Sequence, residues 1–202
     1  MSDEVGESVD TEKRATLRRF AALGAAGPLS RLVDGPSSST RDAIVGYLST
    51  TPGAHFSKIR DDLSLGTGET QHHLRRLVES GAIDSFRDGE YRRYVEGDRF
   101  SEFELVALGY LRRETPRGML IALLREPDAT GSTIAGTVGV SRPTVSTYAK
   151  ELEGAGLLSR ENGYTVKQPE TVLTLLVRYA DSFGPAATSL AAEADSLVRY
   201  DP

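Results

Sequence analysis

The chain contains no cysteine, which excludes disulfides and thiolate metal sites and fits a reducing, intracellular, cytoplasmic setting. No apolar run approaches the length of a membrane-spanning helix, so no membrane association is expected. Histidine is scarce: only His55, His72 and His73. The adjacent pair would point roughly 100° apart on a helix, so one metal ion cannot easily take both. No metal site and no cofactor are expected. A Gly-rich phosphate loop between a strand and a helix is also lacking. Gly66-Thr67-Gly68 reads as a helix start, and Asp61-Asp62 as part of a polar helix face. No catalytic constellation emerges, and the chain is not expected to be an enzyme.

Lysine is nearly missing too. Of 24 basic residues only Lys13, Lys58, Lys150 and Lys167 are lysines. An arginine-rich, lysine-poor chain with a net charge of -5 suits the salt-rich cytoplasm of a halophilic archaeon. A GC-rich genome produces the same bias without salt. The acidic balance argues against a nucleic-acid binder, but net charge speaks to solubility more than to a local surface.

What is present is enough chain, at 202 residues, for one large domain or two small ones. Residues 1–12 are acidic and aperiodic and read as a disordered tail. Residues 13–39 read as an amphipathic helix followed by a Pro-Ser linker. Arg18-Arg19-Phe20 resembles a twin-arginine export signal only superficially, because the apolar stretch is broken by Gly27-Pro28.

The strongest signal is an internal repeat. A shift of 75 residues aligns 44–83 with 119–158 without a gap, pairing Leu48 with Leu123, Pro52 with Pro127, Ile59 with Ile134, Leu77 with Leu152 and Gly81 with Gly156. In the second copy the pattern predicts helices over 115–125 and from Ser132, then a turn at Gly139-Val140. Ser141 caps a third helix, with Pro143 in its first turn and Val145, Ala149 and Leu152 inward. A short hairpin follows through residues 157–166. The first copy repeats the plan with helices over 41–51, 57–64 and 67–80, and a hairpin over 83–94 turning at Asp88-Gly89. Two short helices, a tight turn, a third helix and a hairpin make a winged helix-turn-helix. The expected fold class is therefore mainly α with small β-hairpin wings (α+β). Its domains are a first winged unit at 40–97, a linking helix at 98–113 opened by a Ser101–Glu104 capping box, a second winged unit at 114–167 and C-terminal helices at 168–202, one over 170–183 and a further one over 186–199. Phe103, Val106, Tyr110 and Leu111 form the linking helix's apolar face. The extra helices are expected to make a homodimer, or else to pack the two units together.

The segment VSRPTVSTYAKELEGAGLL resembles the helix-turn-helix core of the MarR and ArsR regulator families. LGTGETQHHLRRLVESGAI is similar to its counterpart in archaeal winged-helix regulators. The resemblance covers about residues 41–166 and implies a transcriptional regulator whose partner is double-stranded DNA, read by third helices in the major groove. In the second copy it points to Ser141, Arg142, Thr144, Ser146, Thr147 and Lys150, with Arg160 on the wing. Arg142 is the base reader, pairing with guanine, and Lys150 meets phosphate. In the first copy it points to Thr67, Gln71, His72, Arg75 and Arg76, with Arg87, Arg92 and Arg93 on the wing. Glu69 departs from a basic reading face. His73, aligned with Tyr148, is expected at the core edge. The competing expectation is a winged-helix protein-protein adaptor of a chromosome-segregation or transcription complex, favoured by the acidic net charge.

Overall fold

The computed structural model describes residues 36–197, so the acidic tail and the helix expected before residue 36 lie outside the described residues. The chain divides into two units that meet between Phe100 and Ser101.

In the first unit, α1 (Pro36–Thr50) begins on a proline, where a missing N–H costs little. The expected linker at 36–39 is thus its first turn. β1 (Ala54–His55) leads into α2 (Phe56–Asp62), and α3 (Thr67–Glu79) packs across α1 and α2. β2 (Ile83–Asp88) and β3 (Tyr91–Glu96) form the wing, and β1 joins them in the order β1-β3-β2. The two-residue β1 was not expected. It pairs Ala54 with Tyr94 and His55 with Arg93, and a segment this short carries no alternation to read. The hairpin closes at Gly89-Glu90, one residue later than expected, because Asp88 pairs with Tyr91 in the ladder. Gly89 supplies the positive φ, 58°, that a two-residue hairpin requires.

The core of this unit joins Ile44, Tyr47 and Leu48 of α1, Ile59 and Leu63 around α2, Leu74 and Leu77 of α3, and Ile83 and Tyr94 of the wing. Removing one such buried leucine costs about 2–5 kcal/mol.

The second unit opens with α4 (Glu102–Leu111), capped by Ser101 and Glu104 as the sequence indicates. The residues it buries are Ala107, Leu108, Gly109 and Leu111, rather than the expected Phe103 and Val106, which are half-buried. The helix packs on α5 (Glu114–Arg125) and α8 (Pro169–Arg178). Next come α6 (Gly131–Val138), α7 (Arg142–Gly154) and the hairpin of β4 (Leu158–Ser159) with β5 (Thr165–Val166). After α8, the chain breaks at Tyr179, turns through α9 (Ala180–Phe183) and continues as α10 (Pro185–Leu197). One continuous helix was expected over 170–183. Gly184, at φ 97° and ψ -173°, makes the corner before α10.

The C-terminal helices fold back on their own unit. α10 packs against α5 and α8, with Ala187 and Leu190 fully buried. The Arg125 guanidinium donates to both Glu193 carboxylate oxygens at 3.0 Å and to Ser189 Oγ at 3.0 Å. Arg112 donates to the Ser182 carbonyl at 2.8 Å and lies 4.4 Å from the Phe183 ring centroid.

The repeat is physical. Gly81 and Gly156 both sit at positive φ (71° and 74°) after their third helices. Gly139 and its counterpart Ser64 both adopt positive φ (74° and 54°) in the turn before them. Positions His55 and Thr130 both cap the second helix. His55 Nδ1 accepts from the Lys58 N–H, and Thr130 Oγ1 accepts from the Thr133 N–H. Ser132, the expected start of that second-copy helix, lies inside its first turn.

His73 is buried on α3, and its Nδ1 has no hydrogen-bond partner. Burial pushes its pKa below 6.5, the neighbouring His72 and Arg41 push the same way, and Glu69 opposes them. The unfolded chain therefore takes up protons that the folded first unit refuses as the pH falls through 6.5. We expect this unit's thermal midpoint to drop between about pH 7.5 and 5.5, with His73→Leu reducing the drop and leaving the part contributed by His55, whose pKa burial also lowers. An unchanged slope in His73→Leu, read from first-unit NMR signals, refutes the assignment.

Candidate nucleic-acid interface

Each third helix is held by one buried stripe. In α7 this is Val145, Ala149 and Leu152; in α3 it is Thr70, His73, Leu74 and Leu77. An α-helix repeats every 3.6 residues, so burying this stripe turns the intervening positions outward. Ser141, Arg142, Pro143, Ser146, Thr147 and Lys150 are accordingly exposed around the N-terminal part of α7, with Thr144 half-buried. On α3 the exposed set is Thr67, Gln71, His72, Arg75 and Arg76.

The two helices are started differently. Ser141 Oγ accepts from the Thr144 N–H at 3.2 Å and lies 2.8 Å from Thr144 Oγ1. Thr147 Oγ1 donates to the Pro143 carbonyl at 3.1 Å. Gly66 occupies the position equivalent to Ser141 and has no side chain to cap with. Glu69 supplies the other half of a capping box, its Oε2 accepting from the Gly66 N–H at 3.3 Å, while Thr70 Oγ1 donates to the Gly66 carbonyl at 2.9 Å. The acidic residue that interrupts the basic face is thus engaged with the positive end of its own helix.

The wings differ as well. On the first, Arg87 and Arg92 stand directly opposite one another and both are exposed. Arg92 Nε and Nη2 donate to Ser85 Oγ at 3.0 and 2.8 Å. Arg93, expected on the exposed wing, is instead buried. It is 4% exposed, its Nε donates to Asp88 Oδ2 at 2.6 Å and its Nη1 donates to the Gly53 carbonyl at 3.0 Å. Alternation along β3 turns Arg92 and Arg93 to opposite faces of the sheet, so only one of two adjacent arginines remains at the surface. On the second wing Arg160 is exposed, but its Nε donates to Glu153 at 2.9 Å. His72 is exposed and His73 buried, their rings edge-on with centroids 5.3 Å apart.

One further feature joins residues far apart in the chain. Phe56 of α2, Thr67, Gln71 and Arg75 of α3, and Arg92 and Tyr94 of β3 surround a groove between the third helix and the first wing. Its lining comes from three separate elements.

Comparisons with known proteins agree with this geometry. Residues 38–108 match a family described as an N-terminal HTH domain, and residues 112–159 match a family described as winged helix-turn-helix DNA-binding. No curated protein and no solved structure gives a significant match to the chain. The chain is a tandem winged helix-turn-helix protein of the DNA-binding regulator class. Among the described residues no helix is long and apolar enough to cross a membrane.

The difference between Arg92 and Arg93 is measurable. Arg93→Ala takes the guanidinium away from the buried Asp88 carboxylate and is expected to cost about 3–5 kcal/mol of first-unit stability. Arg92→Ala, at the surface, is expected to stay within about 0.5 kcal/mol. Denaturant midpoints of the two variants check this, and equal losses would contradict the burial.

Proposed function

We propose that the protein is a transcriptional regulator that reads duplex DNA through the exposed arcs of α3 and α7 and through the first wing. The observation that carries this reading is the contrast within each third helix: apolar positions are buried, while the basic, amide and hydroxyl positions face outward. Arg142 is the principal base reader, since a guanidinium fork matches the two acceptors of guanine in the major groove. Gln71 and Arg75 play the corresponding part on α3. Thr67, Ser146 and Thr147 allow close approach, while Lys150, Arg76, Arg87 and Arg92 meet phosphate. Ser141 and Thr144 order the start of α7. His72 lies at the rim of the reading face. Arg160 contributes less, because Glu153 already neutralises it.

In this reading residues 40–97 and 114–167 are the two DNA-reading modules, joined by 98–113. Residues 168–202 serve a homodimer through the surfaces that their packing on the second unit leaves exposed. The protein works without a cofactor or metal in the cytoplasm, without catalytic activity, and its arginine-rich, acidic composition suits a halophilic archaeal cell. The net charge of -5 is the one observation that favours the adaptor reading. There the third helices would be covered by a protein partner, and duplex affinity would be weak at every salt concentration.

Selection from random genomic duplexes at several salt concentrations tests the reading. A single enriched motif, with log affinity falling linearly with log salt, is expected. No enrichment at any salt refutes it. Arg142→Ala is expected to cost about 1–3 kcal/mol in binding and to relax specificity at one base position. Unchanged specificity would remove the second unit from the reading role.

A further inference from the structure

The 202 residues include one asparagine, Asn162, and a glycine follows it. Asparagine before glycine is the dipeptide best suited to cyclise on itself, because a glycine has no Cβ to hinder its nitrogen from approaching the side-chain amide carbon. The second wing holds this dipeptide at its tip, between β4 and β5. Glu161, Asn162 and Gly163 are all exposed. Among the described residues, neither the Asn162 carboxamide nor the Gly163 N–H enters a hydrogen bond. Gly163 sits at φ 100°, and beyond its chain neighbours no heavy atom lies within 4 Å of where its Cβ would stand. The attacking nitrogen, the amide carbon and the space for a ring are thus all open.

The first wing supplies the contrast. Its tip carries the related dipeptide Asp88-Gly89. Asp88 is 8% exposed, and Arg93 Nε donates to its Oδ2 at 2.6 Å. Its backbone pairs with Tyr91 in the ladder. Ion pair and ladder together hold side chain and backbone away from cyclisation. Of two similar dipeptides, the fold closes one and leaves the other open.

We propose that Asn162 is a site of spontaneous intramolecular deamidation. The Gly163 backbone nitrogen gives up its proton to base and attacks Asn162 Cγ. A C–N bond forms, the side-chain amide leaves as ammonia, and a five-membered succinimide results. Water then opens the ring. Opening at Cγ gives aspartate, while opening at the former backbone carbonyl gives isoaspartate, with the chain running through the side chain. Either way one amide and one water become one carboxylic acid and one ammonia, and the acid ionises at neutral pH. The new carboxylate stands beside Glu161 and two residues from Arg160, whose charge Glu153 already engages. The second wing thereby grows more acidic with age and repels phosphate. That consequence rests on the reading given under "Proposed function"; the modification itself does not.

The test is peptide mapping of the full chain after it is kept folded in mildly alkaline buffer without DNA. Cleavage after Arg160 and Lys167 releases residues 161–167, which hold the only asparagine. This peptide is expected to gain the mass of amide-to-acid exchange and to separate into aspartate and isoaspartate forms, with Asn162→Asp marking the former. The folded chain should react at a rate close to that of a synthetic 161–167 peptide. Asn162→Gln should stop the conversion, since its larger ring forms more slowly. Gly163→Ala should slow it at least about tenfold, equivalent to about 1.4 kcal/mol of barrier. No mass gain, or a folded chain more than about tenfold slower than the peptide, overturns the proposal. Duplex affinity is measured separately by anisotropy. It should fall about two- to fivefold in Asn162→Asp at low salt, with the gap closing as salt rises. If the chain deamidates but binds no duplex, the regulator reading fails and the site stands. If it binds duplex equally before and after conversion, the site stands and its effect on recognition is overturned.

Discussion

Everything the two third helices present depends on what they bury. α7 is pinned by Val145, Ala149 and Leu152, and α3 by Leu74 and Leu77 with Thr70 and His73 beside them. Each buried leucine contributes roughly 1.5–3 kcal/mol. Rotating either helix by a quarter turn would expose that stripe and bury arginine or glutamine without partners. The packing therefore orients the outward arc before any nucleic acid is present. A reading surface of this kind is preorganised by the core beneath it rather than by contacts among its own residues, which are mostly exposed.

The two copies solve the same local problems with different residues, and the differences sort structural from functional side chains. On α7 a serine side chain accepts from an N–H inside the first turn, whereas on α3 the Glu69 carboxylate accepts from the N–H of the equivalent glycine. Two arginines follow one another on the first wing, and the alternation of the strand sends one into an ion pair with Asp88 and leaves the other at the surface. Such a buried pair adds little net stability relative to an apolar replacement, but losing one member is costly. Arg93 therefore holds the wing to the loop at Gly53 and serves recognition only indirectly. On the second wing a glutamate draws off the charge of Arg160. The first unit thus carries the longer and more basic wing, while the second carries the more regular helix start.

Much of this organisation was legible in the chain itself. The 75-residue offset, the Gly pair at 81 and 156, the Ser141 cap and the Ser101–Glu104 capping box each involve neighbours within a few residues or a strict register. Local chemistry decides them, so sequence reasoning reaches them. The misplacements fall where partners lie far apart in the chain. β1 exists only because residues 93 and 94 are there to pair with it. The inner face of α4 is chosen by α5 and α8 rather than by its own periodicity. The continuous helix expected over 170–183 breaks because Tyr179 leaves helical geometry.

By itself the sequence determined that this protein consists of two helix-turn-helix units, and which face of each third helix is apolar, because both depend on short-range periodicity and caps. Only the tertiary structure decided that Arg93 is buried while Arg92 is exposed. It likewise settled that Glu69 serves its own helix, that the C-terminal helices close over the second unit, and that α3 and the first wing leave an apolar groove between them. Each of these depends on residues tens of positions apart meeting in space, where burial and desolvation, rather than residue type, set what a side chain can do.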